Sequence, residues 1–414
     1  AISSCRMEPF LAACRHRAAD GALSQAIRAS TSSLLPAGPP LWRIEWRAGR
    51  GRVLVASQDL EGGTLVFCER PWVVAPVVDT GDAANRGEAQ AVAAALLAMP
   101  AEATALLCSP VHVADTPEAA SLARAADAFA AGSPAHDAQR ARHCLGVASV
   151  NVHSAARPTR GVLGVLSSMM EHCCAPAAMV SVGAEVSVGA EQGKGARGSL
   201  LSLRTLRRVC AGEPLSISYV VAYQPTAARR EQLRQQHGFT CGCARCEEEP
   251  ELVRCFVCPV CGEGPASPEH SGSACRTLGC TECGATSTLD EEAWAPLAAA
   301  EASDDMSECM RYLHPYHHRM VAAFRLNAAR VPVEGGQRAE LFCQFADARI
   351  RLVSDELDPL AAADLERAAV AFRAAGDGAA AARLFGCARR GYTAHLGPAS
   401  PEATRCLHAL AALG

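Results

Sequence analysis

Nine of the chain's 21 cysteines fall between Cys241 and Cys283, a density that no ordinary apolar core requires. The run reads Cys241-x-Cys243-x-x-Cys246, then Cys255, Cys258-x-x-Cys261, Cys275 and Cys280-x-x-Cys283. Thiolates at such spacing grip one tetrahedral zinc ion, because the turn between them sets both sulfurs about 2.3 Å from the metal. Cys258, Cys261, Cys280 and Cys283 lie at the spacing of a zinc ribbon, and four ligands with no open position make a structural site. Cys255 and Cys275 are left over, and either is placed to replace a ribbon ligand. Disulfides are the alternative use of such a cluster. A ribbon this small has little apolar core of its own, so metal is expected to supply much of its folding energy.

Length and composition bound the rest. A chain of 414 residues exceeds one ordinary core, so two or three units are expected. No run of eighteen apolar residues offers a membrane span. The net charge of −4 leaves no footprint of a nucleic-acid binder, and the ribbon carries more acids than bases, with Arg254 and Arg276 against Glu263, Glu269 and Glu282. Reduced cysteines in a long chain place it in the cytoplasm or nucleus. Residues 1–40 form an N-terminal extension in which Arg6, Arg15, Arg17 and Arg28 outnumber the acids, a faint likeness to an organellar address.

From Leu41 the pattern is that of strands. Trp42-Arg-Ile44-Glu-Trp46 alternates with period two, and Val53–Ala56, Leu65–Phe67 and Val73–Ala75 follow between turn residues. Residues 83–145 are alanine-rich, with helices expected over Ala89–Met99 and Leu122–Ala131. Strand character returns at Leu163–Leu166, Met179–Val188 and Leu200–Leu203, and Gly183, Gly189, Gly193, Gly195 and Gly198 mark a hairpin connection or a loop. Beyond Glu291 the pattern is helical, with Pro359–Ala375 and Ala379–Leu396 joined at Gly376-Asp377-Gly378.

The most specific stretch is Gly212-Glu213-Pro-Leu215-Ser-Ile217-Ser218-Tyr219, then Thr226-Ala-Ala-Arg229-Arg230-Glu-Gln-Leu233, then Phe239-Thr-Cys241-x-Cys243-x-x-Cys246. Upstream lie Glu171-His172-Cys173-Cys174-Ala-Pro176-Ala177, Asn151, and Gly51-Arg-Val-Leu54-Val-Ala56 followed by Gly62. Over roughly residues 41–246 the chain resembles the SET-domain protein-lysine methyltransferases, in particular their SMYD branch, in which these motifs stand in this order. The resemblance implies an α+β fold: a multi-stranded β SET core with a helical insert, a post-SET zinc site, a zinc ribbon and an α-helical TPR-like C-terminal domain. The expected boundaries are 41–246 for the SET domain (41–82 N-terminal strands, 83–145 insert, 146–246 core and post-SET), 250–290 for the ribbon and 291–414 for the helices. Tyr392-x-x-His395-Leu396-Gly397-Pro398 matches the helical tail of the branch.

The same resemblance implies S-adenosyl-L-methionine as cofactor and a protein lysine side chain as substrate. Tyr219 takes the catalytic position, where a phenolic oxygen orients amine and methyl. Arg50, Gly51 and Arg52 cradle the methionine end of the cofactor, Asn151 and His172 contact it, and Phe239 lies against the adenine. Read alone, Tyr219 and Phe239 are ordinary core or knuckle-anchoring aromatics, and His172 a structural histidine. Cys174 completes a second zinc site with Cys241, Cys243 and Cys246, with Cys173 as its substitute. The chain departs from the family pattern at Glu171, Ala177, Val53, Val221 and His237. Val53 replaces a glycine, and a β-branched residue does not readily take a positive φ. The MYND finger has no counterpart, since only Cys108 lies between Cys68 and Cys144. Two functions follow: a methyltransferase acting through Tyr219, or a weak or inactive SET scaffold that binds protein partners through the ribbon and the TPR-like helices.

Overall fold

Alternating apolar residues pair the first two strands. In the computed structural model β1 (Trp42–Arg47) and β2 (Gly51–Ala56) run antiparallel, from Trp42 opposite Ala56 to Arg47 opposite Gly51. The structure describes residues 27, 38–47, 51–76, 84–99, 124, 127–132, 138–156, 159–184, 199–269, 276–327, 335–353 and 357–413. Arg50, Cys275, Cys108, nearly all of the 1–40 extension and Gly189, Gly193, Gly195 and Gly198 lie outside them. Val53 lies fully buried in mid-strand opposite Glu45, while the positive φ of 78° falls on Gly51. The feared clash at Val53 therefore does not arise: no described non-glycine residue takes a positive φ.

Two three-stranded antiparallel sheets follow. One has the order β3 (Leu65–Glu69), β8 (Ser199–Thr205), β7 (Ala178–Ala184). The other has β4 (Val73–Pro76), β6 (Thr159–Leu163), β5 (His153–Ala156). Helices α1 (Ala84–Leu97) and α2 (Ala138–Asn151) cover the second sheet, packing Val92, Leu96, Leu145 and Val147 with Val73 and Leu163. The first sheet shares a core with β2 through Leu54, Phe67, Leu166, Leu203 and Leu215. Of the insert helices foreseen in the sequence, the first begins five residues early; the second is described only in part.

The Glu213–Tyr219 stretch does not form a regular strand. Pro214 has no N–H to give a ladder, and the segment makes two isolated bridges instead. Pro214 faces Val55 antiparallel, and Ile217 faces His172 in parallel. Leu215 N–H donates to Leu54 O (2.9 Å), Ile217 N–H to Glu171 O (2.9 Å), and Cys173 N–H to Ile217 O (2.9 Å). The segment is thus clasped between β2 and residues 171–173.

A buried carboxylate fixes the approach to that clasp. Glu69, at the end of β3, accepts from the backbone N–H groups of Val165 (2.9 Å), Leu166 (2.9 Å) and Ser167 (2.8 Å). A Cβ on Gly164 would come within 2.1 Å of this carboxylate, so glycine is required there. Glu69→Gln places an amide N–H₂ against backbone donors, and a destabilisation of about 2–4 kcal/mol is expected in urea unfolding.

The ribbon is a four-stranded antiparallel sheet in the order β12 (Thr286–Thr288), β11 (Thr277–Cys280), β10 (Pro265–Pro268), β9 (Phe256–Val257). Among the described residues, seven helices follow α3 (Thr226–His237) and the single turn α4 (Ala244–Glu247): α5 (Glu291–Ala302), α6 (Met306–Tyr312), α7 (His318–Asn327), α8 (Gly335–Leu352), α9 (Pro359–Ala374), α10 (Gly378–Leu396) and α11 (Pro401–Ala411). Asp290, Asp305, Asp358, Asp377 and Ser400 cap five of them, each side chain accepting a backbone N–H of the first turn. The ribbon and the helices share one core, with the Phe256 ring 5.5 Å from that of Trp294 and 5.6 Å from that of His317. Cys255 is fully buried in it, not a spare ribbon ligand. No helix among the described residues is long and apolar enough to cross a membrane.

The helical region docks on the first sheet. Ser181 Oγ and His395 Nε2 lie 3.3 Å apart, and a Cβ on Gly63 would sit 3.0 Å from Ala394. Burial pushes His395 down from the usual 6.5 to about 4, with Asp358 opposing and Arg204 adding to the shift. The folded protein therefore keeps this imidazole neutral, while the unfolded chain binds a proton below pH 6.5. Stability is complete above pH 6.5 and falls by up to about 1.4 kcal/mol per pH unit from this group as pH drops toward 4. In melts between pH 7.5 and 4.5, His395→Gln is expected to flatten that slope.

Candidate functional site

Two groups of four cysteines come together, each with its sulfurs within 4.8 Å of one another: Cys174, Cys241, Cys243 and Cys246, and Cys258, Cys261, Cys280 and Cys283. All-thiol donor sets of this size suit a tetrahedral soft or borderline ion such as zinc. Cys173 is outside the first group, so Cys174 is the ligand candidate and the substitute is not used.

In the ribbon group each Cys-x-x-Cys is closed by a glycine in the left-handed region, Gly262 (φ 78°) and Gly284 (φ 69°). Val260 N–H donates to Cys258 Sγ and Gly264 N–H to Cys261 Sγ, each at 3.3 Å. A Cβ on Gly264 would come within 2.8 Å of Cys280 Sγ, so the knuckle turns leave no room for a side chain there. Cys261 and Cys283 are exposed, and the group lies at the rim of the molecule.

The other group is buried and joins distant segments. Cys174 Sγ lies 3.5 Å from Cys246 Sγ and 4.0 Å from Cys241 Sγ. Hydrogen bonds from Cys173, Cys174 and Cys246 pull the Cys243 thiol far below its usual range, while the bonds to Cys243 push Cys173 and Cys174 up. Helix α3 organises the knuckle. Arg230 Nε donates to Cys241 O (2.9 Å) and its Nη2 to Cys246 O (3.2 Å), while Arg229 Nη2 reaches Cys246 Sγ at 3.6 Å. The helix ends at Gly238 in the left-handed region (φ 73°), whose N–H donates to Arg234 O. That turn delivers Phe239 and the cysteines behind it.

Beside this group lies a cluster of four rings. His172 is 5.3 Å from Tyr219 and 5.9 Å from Phe239, and Tyr219 is 4.8 Å from His237. Tyr219 N–H donates to His172 Nδ1 (3.1 Å), His172 Nε2 lies 3.2 Å from Cys174 Sγ, and the Tyr219 hydroxyl donates to Met170 O. Burial holds His172 and His237 at about 4, so both are neutral at pH 7. Burial, and then Glu171, push the Tyr219 phenol well above its usual 10. Glu171 itself faces Arg47 at 3.9 Å. Phe239 is partly exposed and borders the cluster on the outside.

The segment carrying Tyr219 also walls a cavity of about 390 Å³, whose lining includes none of the four rings. Ser218, Val220 and Val221 line it from this segment, and Val321, Leu360 and the charged Arg325, Arg349 and Asp358 from the helical region. Of the other residues singled out in the sequence, Gly51 and Arg52 stand at the start of β2 opposite Arg47 and Trp46. Asn151 is the last residue of α2 rather than a strand residue, and its amide donates to Val147 O (2.9 Å). The sequence reading missed Glu69 and the buried Arg229 and Arg245 as site residues. Only the placement of Arg229 and Arg230 in one helix, eleven to seventeen residues before the knuckle, could have signalled them.

No family model matches the chain. Short stretches are similar to two curated proteins: 53 residues are 36% identical to "Protein SET DOMAIN GROUP 41" of Arabidopsis thaliana, and 52 residues are 42% identical to "Histone-lysine N-methyltransferase SMYD3" of Mus musculus. Each stretch is 13% of this chain, and it spans 10% and 12% of the respective relatives. Among solved structures, the SET domain of LSMT bound to lysine and AdoHcy aligns over 95% of this chain and 92% of that one, at 14% identity and a TM-score of 0.38. The same domain bound to methyl-lysine and AdoHcy gives 13% identity and a TM-score of 0.35, over 95% and 93% of the two chains. Superpositions at this level do not establish a shared fold.

Proposed function

We propose that this chain is a SET-type protein-lysine methyltransferase that uses S-adenosyl-L-methionine, with zinc in both cysteine groups. The observation that carries the reading is the joint placement of Tyr219, His172, His237 and Phe239 beside the Cys174–Cys246 group. The segments involved are those whose motifs resemble the SET family, and the two curated stretches of local similarity support it. The buried zinc then corresponds to the post-SET site, the ribbon zinc is a separate structural site, and the C-terminal helices correspond to the TPR-like tail. The β sheets and the clasped 213–219 segment correspond to the SET core.

The residues fit the cofactor. Two neutral imidazoles and two further rings offer electron-rich faces, and no cation among them opposes a sulfonium. The bound cofactor would supply an electrophilic methyl group. Tyr219 keeps its own proton, which it gives to Met170 O, so the phenolic oxygen offers lone pairs rather than a base. Those lone pairs would orient the lysine amine and the moving methyl. The neighbouring cavity, lined by apolar side chains and by Arg325, Arg349 and Asp358, would hold residues flanking the lysine. Desolvation beside the part-buried Tyr219 ring lowers the amine's proton affinity and favours the neutral nucleophile.

Calorimetric titration with S-adenosyl-L-methionine tests the cofactor, and methylation of a peptide array tests the reaction and its target. Saturable binding near one cofactor per chain and labelled lysine peptides are expected. Binding without labelling would favour the partner-binding scaffold, and no heat at millimolar cofactor would overturn the enzyme.

A further inference from the structure

The two cysteine groups solve the same electrostatic problem in opposite ways. Four thiolates around a divalent zinc leave two net negative charges. At the ribbon, half of the sulfurs face solvent and backbone N–H groups donate to two of them, so water and peptide dipoles absorb that charge. The other group has Cys174, Cys241 and Cys246 buried, where uncompensated charge is costly.

Two guanidinium groups are buried against it. Arg229 is 1% exposed, donates from Nη2 to Cys246 Sγ (3.6 Å) and to Thr226 Oγ1 (2.9 Å), and gives Nη1 to Gln224 O. Its one carboxylate neighbour, Glu251, stands 3.9 Å away and accepts instead from Thr226 N–H. Arg245 is 8% exposed and donates from Nη1 to both Cys174 O and Ala222 O at 2.7 Å. Arg229 Nε and Arg245 Nη2 are buried without a hydrogen-bond partner. Two like charges placed in each other's field, with orphaned donors and a single carboxylate 3.9 Å from one of them, are not balanced by neutral thiols. They make sense around a dianionic metal–thiolate centre.

We propose that Arg229 and Arg245 are the counter-charges of the buried zinc, closing it as a neutral unit, and that Arg245 ties it to the cavity wall at Ala222. This rests on the zinc reading of the buried group. The ribbon, which has no such pair, is the built-in reference.

The test is zinc release to EDTA, followed by a colorimetric chelator, on purified full-length protein. Wild type should hold two zinc ions per chain; fewer than two would overturn the zinc reading itself, whatever the arginine variants do. Arg229→Gln and Arg245→Gln should each release one zinc at least about tenfold faster, with the other unchanged, in line with the usual loss on removing an outer-sphere partner. Arg229→Lys keeps the charge and should stay within about threefold of wild type. Wild-type rates in both glutamine variants, or equally fast release from Arg229→Lys and Arg229→Gln, would overturn the counter-charge role. If Arg229→Gln is recovered only unfolded, a folded two-zinc Arg229→Lys supports the proposal, and an unfolded one overturns it.

Discussion

Cys174→Ser should yield a chain with one zinc in place of two, and stripping both ions from the wild type should abolish its cooperative melt. The expected size follows from the packing. A structural zinc contributes about 10–16 kcal/mol in small zinc-binding peptides. At about 2 °C per kcal/mol for a larger chain, loss of one site lowers the unfolding midpoint by about 20 °C. The two sites should not fail alike. The ribbon sheet shares its core with the helices through Phe256, Ala266 and Leu278, so part of it is held by apolar burial without metal. Among the apolar side chains described, the Cys174 group packs Val220, Leu233 and Tyr219 beside its own cysteines, and it joins the 171–174 loop to the end of α3. Its loss frees both. Metal content by mass spectrometry and a calorimetric melt check the prediction; an unchanged midpoint after complete zinc removal would sink both assignments.

Tyr219→Phe should lower methyl transfer by about 10²-fold while leaving cofactor affinity within about threefold. The ring stays, so packing against His172 and His237 is kept. Only the hydroxyl and its bond to Met170 O are removed. Removing one preorganised polar group at a reacting centre typically costs a factor of 10²–10³. The decisive reading is the split between single-turnover rate and calorimetric affinity: an equal fall in both would mean that Tyr219 supports the pocket and does not act on the reacting atoms.

Much of this arrangement was legible in the residues. Alternation located the strand at 42–47, and short apolar runs between turn residues those at 51–56 and 65–69, to within a few residues; consecutive residues of the latter two are buried on both faces. Cysteine spacing located both groups, since knuckle geometry is local. What spacing could not show is where a charged side chain goes. Glu69 reads as a polar residue ending a strand, and Arg229 as the solvated face of an arginine-rich helix, yet both are buried because their partners lie about 96 and 17 residues away. The 213–219 segment is clasped through isolated bridges, since Pro214 cannot donate and its neighbours come from two separate stretches. Nor could spacing show that Asn151 ends a helix and turns its amide to Val147 O.

The order of assembly follows from where the ligands sit along the chain. Cys174 and Cys246 are 72 residues apart, whereas Cys258 and Cys283 are separated by 25. Closing the longer loop costs about 0.6 kcal/mol more for each doubling of length, or about 0.9 kcal/mol in all. That difference is modest beside a metal bond, but on the ribosome the effect is absolute. The first ligand emerges early and must wait, reduced and unpaired, until the far side of α3 has been synthesised. Yet that group is complete at Cys246, before the ribbon's first ligand, Cys258, has been made, so during synthesis at limiting zinc the central clasp stands first in line for the metal.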